Sequence, residues 1–183
     1  MRGRKLPSRV HLEAPSTRRQ REFLRLERQS RKLHRPWVIA PSTDDRYAAY
    51  LKECRRPSAR CFFICTNDRR DLAGVADITQ IVGGLFKSAY LGFYAFEPTA
   101  RRGYMKEGLV LVLDRAFGEI GLHRLEANIQ PGNLASIGLV HRLGFHLEGF
   151  SPKYLKVGGR WRDHERWAVL RDDWKVHRKS AFE

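Results

Sequence analysis

The chain has 183 residues, and 42% of them are hydrophobic, which is enough for one substantial core in a single domain. The formal charge of +15 at pH 7 predicts attraction to polyanions such as RNA, ribosomes or phosphorylated cofactors. No run of 18 apolar residues occurs, and the basic N-terminus has no apolar segment behind it. We therefore expect neither a membrane span nor a secretory signal, and a cytoplasmic location.

The three cysteines, Cys54, Cys61 and Cys65, are odd in number and contain no CxxC pair. This pattern argues against a disulfide framework and against a zinc site, so no metal is expected. Cys61 and Cys65 lie in the apolar run "RCFFICT", where free cysteines behave as small buried hydrophobic residues.

Positive charge is concentrated at the start of the chain. Residues 1–35 hold twelve Lys and Arg against three Glu. Two interpretations stay open: a solvated helix face, or a surface that contacts nucleic acid such as ribosomal RNA.

The first predicted element is a strand at residues 9–13, followed by a helix. Thr17 as N-cap and Gln20 three residues later form the pattern of a capping box, and the helix should extend to about Leu33. A second helix is predicted to begin at one of two adjacent residues, Ser42 or Thr43.

From residue 59 the pattern predicts an antiparallel meander of three strands, a buried helix, a short strand, a helix ended by Gly144, and two strands joined at Gly158-Gly159. Their predicted ranges are 59–66, 72–81, 88–96, 104–117, 123–129, 133–143, 145–157 and 160–170. This order is typical of a single mixed α/β (α+β) domain, here covering residues 1–183.

The start of the buried helix has the features of an anion site. Strand "AYLGFYAF" leads through "EPTARRG" into the helix, so the free amides of residues 101–105 converge at the positive end of the helix dipole. Gly103 permits close backbone contact, and Arg101 and Arg102 add charge-assisted hydrogen bonds. Neither a P-loop nor a G-x-G-x-x-G motif is present, which weakens nucleoside triphosphate and dinucleotide interpretations.

Several motifs together give the chain a family resemblance. "SRKLHRPWV", "RRGYM", "RLEANIQPGN", "RLGF" and "WRDHERWAVL" resemble the GNAT acyltransferase superfamily, and within it the RimJ/RimL branch of ribosomal-protein N-terminal acetyltransferases. The resemblance covers nearly the whole chain. It implies a twisted, largely antiparallel mixed sheet of six to seven strands flanked by about four helices, and acetyl-CoA as cosubstrate.

The resemblance also implies a cofactor site. The loop that grips the pyrophosphate of acetyl-CoA falls on residues 100–105, which include Arg101, Arg102, Gly103, Tyr104 and Met105; Ala100 stands where the family has Gln or Arg. A further set of residues is implied to contact the pantetheine arm: Phe93, Tyr94, Ala95, Asn133 and Ser136. Asn133 has a second interpretation as a helix N-cap, which needs no cofactor.

Acetyl transfer needs a neutral amine, an oxyanion donor and a proton for the departing thiolate. Ser136 resembles the proton donor of the branch, and Tyr154 is an alternative. Relatives have an acidic residue before this tyrosine, whereas this chain has Lys153, which cannot accept a proton at neutral pH without strong burial. The candidate bases are Glu97, Glu126, Asp163 and His164. Of these, Glu126 is predicted to be catalytic and Asp163 to order the terminal hairpin, and a structural role is expected for three other histidines, His123, His141 and His146.

The leading hypothesis is an acetyl-CoA-dependent N-acetyltransferase that acts on a protein N-terminus, of a ribosomal protein, as a monomer or homodimer. The basic N-terminal segment would contact ribosomal RNA. One alternative keeps the fold and makes the acceptor a small amine, namely an amino acid, polyamine or antibiotic. The other is a non-catalytic RNA-binding or ribosome-binding factor, which Ala100 and Lys153 favour.

Overall fold

Seven strands form one sheet in the computed structural model, which describes residues 8–182. The strands are β1 (Val10–Glu13), β2 (Arg60–Thr66), β3 (Leu72–Val82), β4 (Ser88–Ala95), β5 (Arg124–Ile129), β6 (His146–Val157) and β7 (Arg160–Leu170). Their order across the sheet is β1-β2-β3-β4-β5-β7-β6, and every neighbouring pair is antiparallel except β4 with β5. The expected mixed, largely antiparallel sheet is confirmed.

Five α-helices accompany the sheet in the described chain: α1 (Gln20–His34), α2 (Asp44–Cys54), α3 (Tyr104–Phe117), α4 (Leu134–Arg142) and α5 (Arg171–Phe182). The first four were predicted, α3 with the same bounds. The sequence interpretation missed α5, although Asp172 and Asp173 lie in its first turn, where carboxylates favour the helix dipole. Trp174 of α5 is buried and donates a 3.0 Å hydrogen bond to Asp114 of α3. None of the described helices is long and apolar enough to cross a membrane.

The predicted capping box at Thr17 and Gln20 is wrong. Residues Thr17–Arg19 form a 3-10 turn, and α1 begins after Arg19 without a side-chain cap. The Gln20 amide instead donates to Asp44 of α2 at 2.5 Å. The second helix was predicted to begin at Ser42 or Thr43; it begins at Asp44, directly after Thr43, whose hydroxyl accepts the Arg46 N–H as its N-cap.

The two faces of the sheet have separate cores. Alternate residues of β2 point to opposite faces: Phe63 packs with α1 and α2, whereas Ile64 packs against α3. Close packing of α3 depends on Gly108, because a Cβ there would lie 2.5 Å from Ile64. Cys61 and Cys65 are buried, as predicted.

The parallel pair of strands in the middle of the sheet is short. β4 and β5 pair only through Ser88–Tyr90 and Arg124–Glu126. Beyond Tyr90, β4 stays paired with β3 as far as Ala95, and β5 stays paired with β7 as far as Ile129. The facing edges of β4 and β5 therefore separate, and this gap positions the site described next.

Candidate active site

A cavity of about 620 Å³ opens where β4 and β5 separate. Its walls come from the end of α1, the free edge of β4, the loop before α3, the first turn of α3, the end of β5, the start of α4 and one residue of β7. This volume is in the range of small-molecule and cofactor pockets. Nine of the predicted cofactor-contacting residues line it: Phe93, Tyr94, Ala95, Arg101, Gly103, Tyr104, Met105, Asn133 and Ser136.

The first turn of α3 presents backbone N–H groups to the cavity. Gly103 precedes the helix at φ 85°, in the left-handed region, which glycine adopts without steric cost. The first helical hydrogen bond runs from Glu107 N–H to the Gly103 carbonyl at 3.2 Å. Within the part of the chain that the structure describes, the N–H groups of Gly103, Tyr104 and Met105 have no acceptor. These donors and the helix dipole together favour an anion.

Arg9, the residue before β1, contacts the loop before α3 and the first turn of α3 from outside the cavity. Its guanidinium donates to the Glu107 carboxylate and, at 3.0 Å, to the Arg102 carbonyl, and it lies 4.9 Å from the centre of the Tyr104 ring. Pairing with Arg9 neutralises the Glu107 carboxylate, which would otherwise oppose an anion at the helix start. The residue that holds the loop was not predicted, because residues 9 and 107 are far apart in sequence.

The two predicted arginines of the loop separate in the structure. Arg101 lines the main cavity, whereas Arg102 lines a recess of about 130 Å³ together with Asp68 and Arg69. The expectation that both arginines share one site with the helix amides is therefore wrong for Arg102 in this conformation. Adjacent residues diverge here because Arg101 has φ 63°, which turns the backbone between the two side chains.

The backbone of β4 is held in place by a buried histidine of α1. His34 Nε2 lies 2.9 Å from the Ala95 carbonyl oxygen. Since a carbonyl can only accept, Nε2 is the protonated nitrogen. Burial lowers the pKa of His34, so the ring is neutral near pH 7. His34 was absent from the predicted site and had no sequence signal beyond its place in an amphipathic helix.

Asn133 caps α4, as one of its two interpretations required. Its side-chain oxygen accepts the Ser136 N–H at 3.3 Å. Capping uses the oxygen and leaves the side-chain NH2 group at the cavity wall, so the structural role is compatible with contact to a ligand.

Three of the four candidate bases lie away from the cavity wall. Glu126 forms a 2.8 Å ion pair with Arg124, which also binds Glu148. The assignment of Glu126 as the catalytic base therefore conflicts with its position, because its carboxylate is paired with Arg124 and lies outside the cavity lining. Asp163 accepts the Lys153 N–H at 2.8 Å across the β6–β7 hairpin, in keeping with its expected ordering role. Glu97 is likewise outside the cavity lining.

The fourth candidate, His164 of β7, is 3% exposed and lines the cavity. Its Nδ1 lies 2.9 Å from the Arg162 carbonyl oxygen and must donate to it. The neutral ring then has its lone pair on Nε2, for which the described residues offer no partner.

Tyr154 has its ring 6.1 Å from that of His164 but stands outside the cavity lining. A hydrogen bond with Tyr154, aided by burial, raises the pKa of Tyr90 to about 12.

The charge around the cavity is one-sided. Its described lining contains Arg101, Lys106 and Arg142 but no Asp or Glu.

Trp37 and Gln130 also line the cavity and are joined by a 3.2 Å hydrogen bond from the Gln130 amide to the Trp37 carbonyl. These residues were not predicted, because tertiary packing alone brings their segments together. The three histidines expected to be structural, His123, His141 and His146, are outside the described lining.

Comparison with known proteins identifies the family of the chain. Residues 9–146 match the family model described as "Acetyltransferase (GNAT) domain". The ribosomal protein uS5-alanine N-acetyltransferase of Escherichia coli is 34% identical over 120 residues, which are 66% of this chain and 62% of that protein. The match thus spans about three fifths of that relative's length.

Two solved structures share the fold. Mycobacterium smegmatis RimJ in complex with CoA-disulfide has a TM-score of 0.83 at 24% identity, covering 94% of this chain and 88% of RimJ. A chimera of spermidine N-acetyltransferase SpeG from Vibrio cholerae and hSSAT has a TM-score of 0.77 at 19% identity, covering 92% of this chain and 99% of the chimera. The fold, the family match and the relative named for uS5-alanine acetylation agree: the chain belongs to the GNAT acetyltransferase family.

Proposed function

We propose that this acyltransferase moves an acetyl group from acetyl-CoA to the N-terminal amine of a protein, with a ribosomal protein as its acceptor. The observation behind the proposal is that the free edge of β4 and the unpartnered amides of α3 meet in one cavity. An extended amide chain that ends in a diphosphate matches both features. The 34% identical relative that is named for alanine acetylation on uS5 supports the choice of acceptor.

Coenzyme A would lie along these two features. Its pyrophosphate would accept from the N–H groups of Gly103, Tyr104 and Met105 and pair with Arg101. Its pantetheine amides would pair with the open edge of β4 at Phe93, Tyr94 and Ala95, as an added strand pairs with a sheet edge. The Asn133 side-chain NH2 would donate to the same arm from the opposite wall.

The reaction would proceed by direct attack of the amine in a ternary complex, because a thioester needs little activation once both substrates are positioned. His164 Nε2 would take the proton of the attacking amine. An N–H of β4 would stabilise the oxyanion. Ser136, on the cavity wall, would give a proton to the CoA thiolate, and Tyr154 would need a small rearrangement to do so.

The charge of the cavity favours a peptide over a polyamine. A polyamine carries several ammonium groups, and a site that binds it needs carboxylates to replace their hydration. The described lining offers none. A peptide N-terminus brings one amine, which must be neutral to react, and a backbone that hydrogen bonds without charge. The GNAT domain and the relatives named as N-acetyltransferases favour an enzyme over the non-catalytic alternative.

The basic N-terminal segment supports a role for RNA in bringing the enzyme to its acceptor. Four exposed cations recur along one face of α1: Arg21, Arg25, Arg28 and Lys32. They span about 16 Å of helix, and in the part of the chain described none of them forms an ion pair. The same helix ends at Leu33 and His34, which line the cavity. Three further cations of this segment, Arg2, Arg4 and Lys5, lie outside the described residues.

The test is a competition between acceptors. Purified enzyme and acetyl-CoA are incubated with peptides that carry the N-terminal sequences of ribosomal proteins, with the same peptides already acetylated at the N-terminus, and with spermidine, amino acids and an aminoglycoside. Mass spectrometry should find one acetyl group on the α-amine of a free peptide and none on the blocked peptide. Faster turnover of spermidine or another small amine than of every peptide would overturn the choice of acceptor.

A further inference from the structure

A buried cluster of thiol and carboxyl groups lies beneath α2, on the α1–α2 side of the sheet. It contains Cys54, the last residue of α2, Cys61 of β2 and Asp77 of β3. Their sulfur and oxygen atoms all lie within 4.8 Å of one another. None of the three lines the cavity of the acyltransferase site, so the cluster is separate from the proposed acetyl transfer.

The sheet holds two of these groups in fixed positions. Cys61 and Asp77 are direct cross-strand partners in the β2–β3 ladder, where opposite side chains on one face are about 5 Å apart. The short loop after α2 returns the chain to β2 and sets Cys54 above this pair. Three donors from three elements thus converge without requiring the backbone to move.

Asp77 is half-buried and has no positive partner among the described residues. Its carboxylate accepts from the Tyr50 hydroxyl at 2.9 Å and is also in hydrogen-bond reach of the Cys61 thiol, but no Lys or Arg of the described chain forms an ion pair with it. A carboxylate in such a place needs a cation or a proton. The second cluster of similar composition, His11, Glu13 and Cys65, differs because the Arg19 guanidinium already occupies it, 2.8 Å from Glu13 and 3.6 Å from the Cys65 sulfur.

A second observation also indicates a missing ligand. The Tyr94 hydroxyl is fully buried and has no hydrogen-bond partner among the described residues. Asp77, Cys54 and Cys61 are among the groups close enough to this hydroxyl to act on it electrostatically. An unpaired buried hydroxyl costs roughly 1–3 kcal/mol unless a ligand or a water binds it.

We propose that Cys54, Cys61 and Asp77 form a binding site for a thiophilic divalent cation, with Zn²⁺ as the expected ion. Two sulfur ligands select zinc over Mg²⁺ or Ca²⁺, which prefer oxygen. In a tetrahedral zinc site two thiolate sulfurs lie about 3.8 Å apart, which is compatible with ligand atoms that all lie within 4.8 Å of one another. The fourth position would fall to water, and Tyr50, which donates to Asp77 Oδ1, would orient the carboxylate.

Binding is a proton exchange without a redox step: Zn²⁺ replaces the thiol protons of Cys54 and Cys61, two protons leave, and with the Asp77 carboxylate the loaded site carries a net charge of −1. The site would be structural, because it joins α2 to β2 and β3 directly behind Tyr94 of β4. Half-exposed Cys54 gives the ion a route from solvent.

The experiment titrates the full chain with Co²⁺ and Zn²⁺ after removal of metal by a chelator and in a non-thiol reductant. We expect one Co²⁺ per chain with the intense absorption of thiolate coordination, its displacement by Zn²⁺, and a rise in unfolding temperature of about 5–10 °C at zinc a hundredfold above Kd. Cys54→Ser, the mildest change because the residue is at a helix end, should abolish the absorption. Cys65→Ala keeps the three ligands and is the matched control.

The Asp77→Asn variant distinguishes metal binding by the carboxylate from its protonation. Without metal, this variant should be at least as stable as the parent chain, because it removes a buried charge and keeps an oxygen for Tyr50. With zinc, the parent chain should gain stability and the variant should not. A folded, reduced parent chain that shows no thiolate–Co²⁺ absorption would overturn the site, as would equal Co²⁺ binding by Cys54→Ser. Either result would leave the proposed acetyl transfer unaffected.

Discussion

Tyr90 and Glu126 form the last paired position between β4 and β5, and the cavity begins where these two strands separate. Each strand keeps its other neighbour beyond this point, so the open edges are rigid. The start of α3 lies at the same opening and presents its free amides there. The proposed cofactor site is thus a consequence of sheet topology combined with one helix terminus.

The two arginines of the loop should differ in their effect on coenzyme binding. Arg101→Gln removes a cation from the main cavity, and loss of a charge-assisted hydrogen bond should weaken CoA binding by about 10- to 100-fold. Arg102→Gln makes the same chemical change in the neighbouring recess and should alter the Kd by less than about threefold. Calorimetric titration of both variants with CoA measures the contrast. Equal losses would mean that the two side chains share the ligand.

His164 should be required for catalysis but not for coenzyme binding. In His164→Asn the side-chain NH2 can replace Nδ1 as donor to the Arg162 carbonyl, while the lone pair of Nε2 is lost. General-base catalysis contributes about 10²–10⁴-fold, so kcat on a peptide should fall by at least about a hundredfold.

Two comparisons make the His164 result specific. The Kd for CoA should be unchanged in His164→Asn, and Glu126→Gln, which alters the base first predicted from the sequence, should keep most of its turnover. A variant at His164 that retains full kcat, or a larger loss at Glu126, would contradict this assignment.

Acid should destabilise the chain through His34. Because burial lowers the pKa of His34 below its ordinary 6.5, the unfolded chain takes up a proton that the folded chain refuses, and stability falls as the pH drops below 6.5. One such group contributes at most about 1.4 kcal/mol per pH unit. His34→Gln keeps a donor for the Ala95 carbonyl and should lose less free energy of unfolding between pH 7.5 and 5.5, as measured with urea. Equal losses of the free energy of unfolding in the parent chain and in His34→Gln would mean that groups other than His34 cause the effect.

The basic face of α1 should control the salt dependence of activity on ribosomal particles. Replacing Arg21, Arg25, Arg28 and Lys32 by Gln removes up to four phosphate contacts. The plot of log affinity for RNA against log salt should therefore become less steep, by at most about 3 in the magnitude of its slope. Activity on a free peptide should not change. The control variant replaces four exposed cations near the end of α2, namely Lys52, Arg55, Arg56, which pairs with Glu53, and Arg60, which donates to backbone carbonyls, and has the same net charge. If both variants change the slope equally, the charge acts without a specific surface.

How far the sequence predicts this molecule depends on whether a feature is local. The bounds of α3 and the free amides at its start follow from Gly103 and the apolar run behind it, so both were predicted. The contacts of Arg9 with the loop before α3 join segments that are distant in sequence. The separation of Arg101 from Arg102 depends on one positive φ. Sequence patterns encode neither feature. For the base, the period-2 alternation of β7 places Asp163 and His164 on opposite faces, but the sequence does not say which face meets the cavity. Helix α5 also has local signals, namely Asp172 and Asp173 in its first turn and the apolar Trp174 behind them, although it is absent from the predicted elements.

A crystal structure of the enzyme with coenzyme A tests the central proposal most directly. We predict that the pyrophosphate lies within hydrogen-bond distance of the N–H groups of Gly103, Tyr104 and Met105, that the pantetheine pairs with β4 between Phe93 and Ala95, and that the thiol lies near Ser136 and His164. Coenzyme bound elsewhere, with the first turn of α3 making no contact to phosphate, would contradict it.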